Sequence, residues 1–151
     1  MIDVVATDEQ LERCWAIRLE VFVGEQKVPD DEEIDALDIE ERTVHLLASR
    51  DGADLGTLRL YPDGPGVCHI GRVAVKRSAR GLGVGRELMD RAAQVALERF
   101  GDDGGVEIHL SAQEQAIGFY EACGYELIDG PHYLDAGIWH RDMVGHFPLP
   151  G

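Results

Sequence analysis

The segment Val73-Ala-Val-Lys-Arg-Ser-Ala-Arg-Gly-Leu-Gly-Val-Gly-Arg-Glu-Leu88 constrains this chain more than any other. An apolar strand pattern, Ile70 to Val75, runs into a basic turn, Arg80 to Gly85, and Leu88, Met89, Ala92, Val95, Ala96 and Leu97 then recur at helical spacing. Gly81, Gly83 and Gly85 leave backbone N–H groups unshielded by side chains. The helix after them adds its own unpaired N–H groups and the positive end of its dipole. Arg77, Arg80 and Arg86 contribute further positive charge. Strand, turn and helix together make a seat for a pyrophosphate.

Spacing narrows which pyrophosphate. The dinucleotide fingerprint G-x-G-x-x-G fails at Arg86, and a Walker loop fails because no lysine follows Gly85. Arg80-Gly81-Leu82-Gly83-Val84-Gly85 instead fits Q/R-x-x-G-x-G/A, which resembles the acetyl-coenzyme A loop of the GNAT family of N-acetyltransferases. Gln113-Glu-Gln-Ala-Ile-Gly-Phe-Tyr-Glu-Ala-Cys-Gly-Tyr125 resembles that family's other signature, N-x-x-A-x-x-F-Y-x-x-x-G-F, with Gln113 for Asn and Tyr125 for Phe. A narrower likeness is to the bacterial YjcF-like branch. It is carried by Ile17-Arg-Leu-Glu-Val-Phe-Val-Gly-Glu-Gln-Lys-Val-Pro29, by Glu33, Asp35, Asp38 and His45, by Leu110-Ser-Ala-Gln113, and by Gly137-Ile-Trp-His-Arg-Asp-Met143. The resemblance spans nearly the whole chain.

What the resemblance implies is specific. The fold is one mixed α/β domain over residues 1–151, with a mostly antiparallel twisted sheet flanked by helices. Two neighbouring strands, the one ending at Val75 and the one from Val106, splay apart. The pantetheine arm of coenzyme A enters that gap against the main chain of Val73, Ala74 and Val75, and the Val75 N–H faces the thioester oxygen. The diphosphate rests on Arg80, Gly81, Leu82, Gly83, Val84, Gly85 and Arg86. Gln113 bonds the arm or orders the strand end. Tyr120 is the general acid for the departing thiolate, its phenol having an ordinary pKa of about 10. Adjacent helical residues point about 100° apart, so Phe119 packs elsewhere and touches the cofactor arm. The general base stays open among Glu25, His140, His45, His69, the acids below and water. Glu25, Glu33, Asp35 and Asp38 line the acceptor pocket. The expected reaction moves an acetyl group directly from acetyl-CoA to a primary amine, either a small molecule such as an aminosugar or polyamine, or a peptide. The alternative is a non-catalytic acyl-CoA-binding or sensing domain. No metal is expected, since the six histidines show no H-E-x-x-H spacing.

Composition bounds the partners. A formal charge of −15 argues against nucleic acid, which needs a broad positive surface. It suits a cationic acceptor, or simple solubility. The acidic excess gathers in Asp30-Asp-Glu-Glu-Ile-Asp-Ala-Leu-Asp-Ile-Glu-Glu41, away from the basic Lys76–Arg86 segment. There is no apolar run of the roughly 20 residues that span a bilayer, and no signal-peptide pattern, so a cytoplasmic protein is expected. Cys14, Cys68 and Cys123 form no C-x-x-C and read as buried filler. Homodimerisation is left open.

The remaining elements come from pattern. Ile2 to Ala6 reads as a strand, and Thr7-Asp-Glu-Gln10 as a capping box opening a helix that runs past Phe22 and breaks at Val28-Pro29. The acidic loop is next, with a helical turn. Thr43–Ser49 and Leu55–Tyr61 form a hairpin about Asp51-Gly52, and Val67–Val75 comes after the turn at Pro62–Gly66. After the helix to Phe100 come a strand Val106–Leu110, a helix Gln115–Ala122, and strands Gly124–Asp129 and Ile138–His146.

Overall fold

A computed structural model describes residues 1–148, with Asp31 and Glu32 described by backbone alone. Those two members of the acidic run therefore lie outside the described side chains. In chain order the elements are β1 (Ile2–Val4), α1 (Asp8–Arg18), a π-helical stretch Leu19–Glu25, α2 (Asp30–Glu33), a 3₁₀ turn Ala36–Ile39, β2 (Val44–Arg50), β3 (Ala53–Pro62), β4 (Val67–Val75), α3 (Val84–Phe100), β5 (Val106–Gln113), α4 (Ile117–Ala122), β6 (Glu126–Leu127), β7 (Tyr133–Asp135) and β8 (Ile138–Phe147). The capping box is present: the Thr7 side chain accepts from Gln10 N–H, and the Gln10 side chain accepts from Thr7 N–H. The continuous helix expected past Phe22 is corrected. Its last two turns widen into π-helix, with Gln26 N–H donating to Val21 O at 3.2 Å. β7 is an addition that no sequence pattern announces.

One sheet runs β1-β2-β3-β4-β5-β8-β6, with β7 paired to β8, and every pairing is antiparallel except β4–β5. Burial along the strands shows where the helices lie. From Val44 to Ala48, β2 is buried at every residue, as it must be with apolar packing on both faces. On one face α3 packs Leu88, Ala92, Val95 and Ala96, at i, i+4, i+7, i+8 spacing, against Leu46, Leu58 and Ile108. On the other, Cys14, Ile17, Val21 and Phe22 cover Leu47 and Ala74. β5 alternates instead: Val106, Ile108, Leu110 and Ala112 are buried, while Glu107, His109, Ser111 and Gln113 face away from that core. The α1 side covers only part of the sheet, and the polar face of β5 and β8 beyond it stays open. All three cysteines are buried free thiols.

Two irregularities create the cleft. The parallel β4–β5 ladder stops at Ile70↔Leu110, yet β4 stays paired to β3 as far as Val75↔Gly56, and β5 to β8 as far as Gln113↔His140. Each strand keeps to its own outer neighbour, and the two part like a fork. On the β3 side the register slips between Thr57↔Ala74 and Arg59↔Gly71, a bulge at which Arg72 adopts φ +54°.

Candidate active site

The fork opens a cleft of about 1180 Å³, lined by β4 from His69 to Val75, the glycine turn, Ser111 and Gln113 of β5, and Phe119 and Tyr120 of α4. At its upper end Gly81 and Gly83 sit at φ +84° and +81°, where an L side chain is strained, and a Cβ on either would meet nothing within 4 Å. Gly83 caps α3 without a side-chain bond, and the first amide to close onto the helix is Glu87 N–H, on Gly83 O at 3.1 Å. The amides of residues 81–86 donate to no acceptor among the described residues. A diphosphate fits that donor set. Gly85 is required for a different reason: a Cβ there would meet the Phe119 ring at 3.1 Å, so the turn and α4 are in direct contact.

The flanking arginines are already engaged. Arg80 Nη2 lies 2.9 Å from Glu25 Oε1, and Arg80 Nε donates to Val75 O at 3.2 Å. Arg77 Nη2 reaches Glu25 Oε2 at 3.6 Å, and Arg86 pairs with Asp90 one turn along α3. The hydrogen bond from Arg80 holds the Glu25 carboxyl below its ordinary value, against some desolvation. Glu25, expected as a base or acceptor ligand, is a poor proton acceptor placed beside the glycine turn.

Backbone geometry favours the expected arm of the site. Lys76 N–H donates to Leu55 O at 2.8 Å, and an antiparallel ladder alternates, so the N–H and C=O of Val75 turn away from β3 and into the fork. Tyr120 is 8% exposed, edge-on to Phe119 (5.2 Å) and Tyr125 (6.4 Å). Its hydroxyl has no hydrogen-bond partner among the described residues, and burial pushes the phenol up, keeping it protonated. Gln113 exchanges amide bonds with Gln26 at 2.8 and 3.2 Å and accepts another from Gln115. Both lone pairs of its oxygen are thus used, leaving one N–H for a ligand. Directly across β8, His140 donates Nδ1–H to Ile138 O at 2.7 Å, since a carbonyl can only accept. Its neutral tautomer therefore carries the lone pair on Nε2, and the residue lines the cleft. His69 also lines it, bonded to Asp63 at 2.8 Å and stacked on Tyr61.

The acidic segment departs most from expectation. Asp38, with a side chain 0% exposed, does not line the cleft. Arg18 bonds it at 2.6 and 3.0 Å and Arg59 at 2.9 Å. Burial would raise its pKa, but the Arg18 hydrogen bond and charge outweigh that and bring it down to about 2. Glu33 is likewise buried, 2.9 Å from Arg18 and 3.2 Å from Arg72; burial pushes its carboxyl up against the Arg18 bond. Asp35 caps the 3₁₀ turn and is bound by Arg59 at 2.6 and 3.0 Å and by Arg72 at 3.3 Å. Three of the eight carboxylates of Asp30–Glu41 thus meet three guanidiniums brought to them from α1, β3 and β4. Among the described residues of the segment, Glu33 and Asp35 reach the cleft wall. His45, a candidate base, donates Nε2–H to Asp38 O at 3.0 Å, and burial lowers its pKa, as for a neutral core histidine. None of the three arginines was singled out by sequence. Arg18, four residues after Cys14 on the apolar side of α1, was the available signal. The trio Ser111, Tyr133 and Asp142, linked through the Tyr133 hydroxyl, was also missed because β7 was.

Residues 10–125 match the acetyltransferase (GNAT) family. The chain belongs to the GNAT family. The uncharacterized N-acetyltransferase YjcF of Bacillus subtilis is 37% identical over 142 residues, covering 93% of this chain and 96% of that protein. Among solved structures, an acyl-CoA N-acyltransferase from Pseudomonas aeruginosa superposes with a TM-score of 0.81 at 36% identity, covering 96% and 97% of the two chains. Escherichia coli ElaA does so at 0.84 and 25% identity, covering 97% and 99%. This GNAT protein is an acyltransferase, and its forked sheet is the GNAT fold. Among the described residues there is no cluster of three metal-ligating side chains, and no helix long and apolar enough to cross a membrane.

Proposed function

We propose that this GNAT protein transfers an acetyl group directly from acetyl-CoA to a primary amine. The observation that carries the reading is the fork itself: unpaired amides of residues 81–86 at one end, the inward main chain of Val75 along one wall, and the unpartnered Tyr120 hydroxyl against the gap. Acetyl-CoA, when bound, supplies an acyl group activated as a thioester. The chain's residues do the rest. The amides of the turn and Arg80 hold the diphosphate. The Val75 N–H points where negative charge develops on the carbonyl oxygen, a donor of the kind worth on the order of 3 kcal/mol. His140 Nε2 takes the proton that the amine loses as the N–C bond forms. The Tyr120 O–H gives its proton to the sulfur as the C–S bond breaks.

The acceptor is recognised at the open end of the cleft, where Asp35, Asp135 and Ser111 face the space below the fork. Because Arg18, Arg59 and Arg72 pair with Glu33, Asp35 and Asp38, a strongly polycationic acceptor gains less from those three acids than the formal charge suggests. A small amine, or the amine of a peptide, suits the wall better. A panel of aminosugars, polyamines, small amines and peptides incubated with acetyl-CoA, read by release of free thiol, tests the reading. Turnover with any of them supports transfer. Tight coenzyme binding with no turnover on the whole panel favours the acyl-CoA-binding domain instead.

A further inference from the structure

Two consecutive residues of the α1–α2 connection touch opposite jaws of the cleft. Glu25 bonds Arg80 and Arg77 on the glycine-turn side, at 2.9 and 3.6 Å. Gln26 exchanges its amide with Gln113 at the end of β5, at 2.8 and 3.2 Å. The connection thus crosses the gap between the splayed strands as a strap. Its root is firm: Val21 and Phe22 are buried under the sheet, Gln26 N–H closes the π turn on Val21 O at 3.2 Å, and Val28 N–H ties the chain beyond it to Phe22 O at 2.9 Å. A π turn adds a residue to the helical ring and shifts the residues after it, here presenting Glu25 and Gln26 to different partners.

The two anchors differ in charge, and that decides their behaviour. The Gln26–Gln113 pair is neutral. Glu25 carries the same sign as a diphosphate and holds the guanidinium that flanks the diphosphate's amides. A bound diphosphate either draws Arg80 off Glu25, leaving that carboxylate nearby with Arg77 alone, or meets an Arg80 whose charge is already spent on Glu25. Both oppose binding. We propose that Glu25 is an internal competitor for Arg80, displaced by the coenzyme's diphosphate, while Gln26 stays on Gln113 and holds the strap over the pantetheine gap. This rests on the reading of the cleft as the coenzyme site.

Calorimetric titration with two probes, coenzyme A and inorganic pyrophosphate, tests it without any acceptor. Glu25→Gln and Glu25→Ala, checked for unchanged thermal unfolding, are expected to bind both probes roughly two- to fivefold tighter at low salt, the span of a partly exposed ion pair. The gain should shrink as salt screens it. Gln26→Ala should weaken coenzyme A by roughly two- to tenfold, as for a lost hydrogen bond, and leave pyrophosphate alone. Wild-type protein that binds coenzyme A while both Glu25 variants bind it equally or more weakly overturns the competition. Gln26→Ala weakening both probes alike overturns the strap's role over the arm. Wild-type protein that binds neither probe removes the coenzyme reading itself, and the competition with it.

Discussion

The glycine turn and the acidic segment are the two strongly polar stretches of the chain, and the fold leaves them in opposite conditions. The turn keeps the amides of residues 81–86 without protein acceptors, at the end of a 17-residue helix. At the core of the acidic segment the acids are already taken: Asp38 and Glu33 are buried against Arg18, and Asp35 is held by Arg59. One region is locally built and unsatisfied, hence available to a ligand. The other has Glu33, Asp35 and Asp38 satisfied from α1, β3 and β4, hence structural. Formal charge along a sequence measures neither condition. It counts groups, whereas binding depends on what those groups have left to give.

That contrast breaks if the acidic cluster proves dispensable. Arg18→Met should destabilise folding by about 3–5 kcal/mol, because two buried carboxylates lose a partner. Urea unfolding measures this, and a loss below about 1 kcal/mol would return the segment to the surface. Tyr120→Phe sharpens the other side: kcat should fall by roughly 10²- to 10⁴-fold with coenzyme affinity nearly unchanged. Turnover within a factor of two of wild type would make Tyr120 a packing residue. Gly83→Asp should weaken coenzyme A about a hundredfold by calorimetry, since a side chain at φ +81° is strained and its charge faces the diphosphate, while the protein stays folded. Unchanged affinity in the folded variant would move the anion seat elsewhere.

The smallest effect concerns pH. The folded-state pKa of Asp38 is depressed to about 2, so its contribution is fully present above the unfolded value near 4 and lost as pH falls from there toward 2. Acid titration followed by circular dichroism should show stability lost in that window, and Asp38→Asn should flatten the slope there. A variant with the wild-type slope would mean that the Arg18–Asp38 pair adds nothing.

Much of the fold was legible because its signals are local. The Thr7–Gln10 capping box, the apolar spacing of α3, the Asp51-Gly52 hairpin and the Arg80–Gly85 turn each specify their geometry within a few residues, and each stands where the pattern put it. The π stretch was not legible, since Leu19–Glu25 carries a helical pattern and the extra residue per turn arises from docking Val21 and Phe22. β7 escaped notice because three residues between Gly130 and Gly137 have no period to read. The bulge at Arg72 is set by β3 pairing, and its positive φ falls on Arg72 rather than on the neighbouring Gly71.

By itself the sequence determined the strand–turn–helix unit, the glycines that its positive φ values demand, and the Phe119-Tyr120 signature beside it. These depend on neighbours a few bonds away. Only the tertiary structure decided which charges remain available. Arg18, Glu33, Asp38 and Arg59 are scattered from α1 to β3, and nothing in their spacing says that they meet. They cancel one another because folding brings them into one buried cluster, where an ion without a partner is too costly to keep.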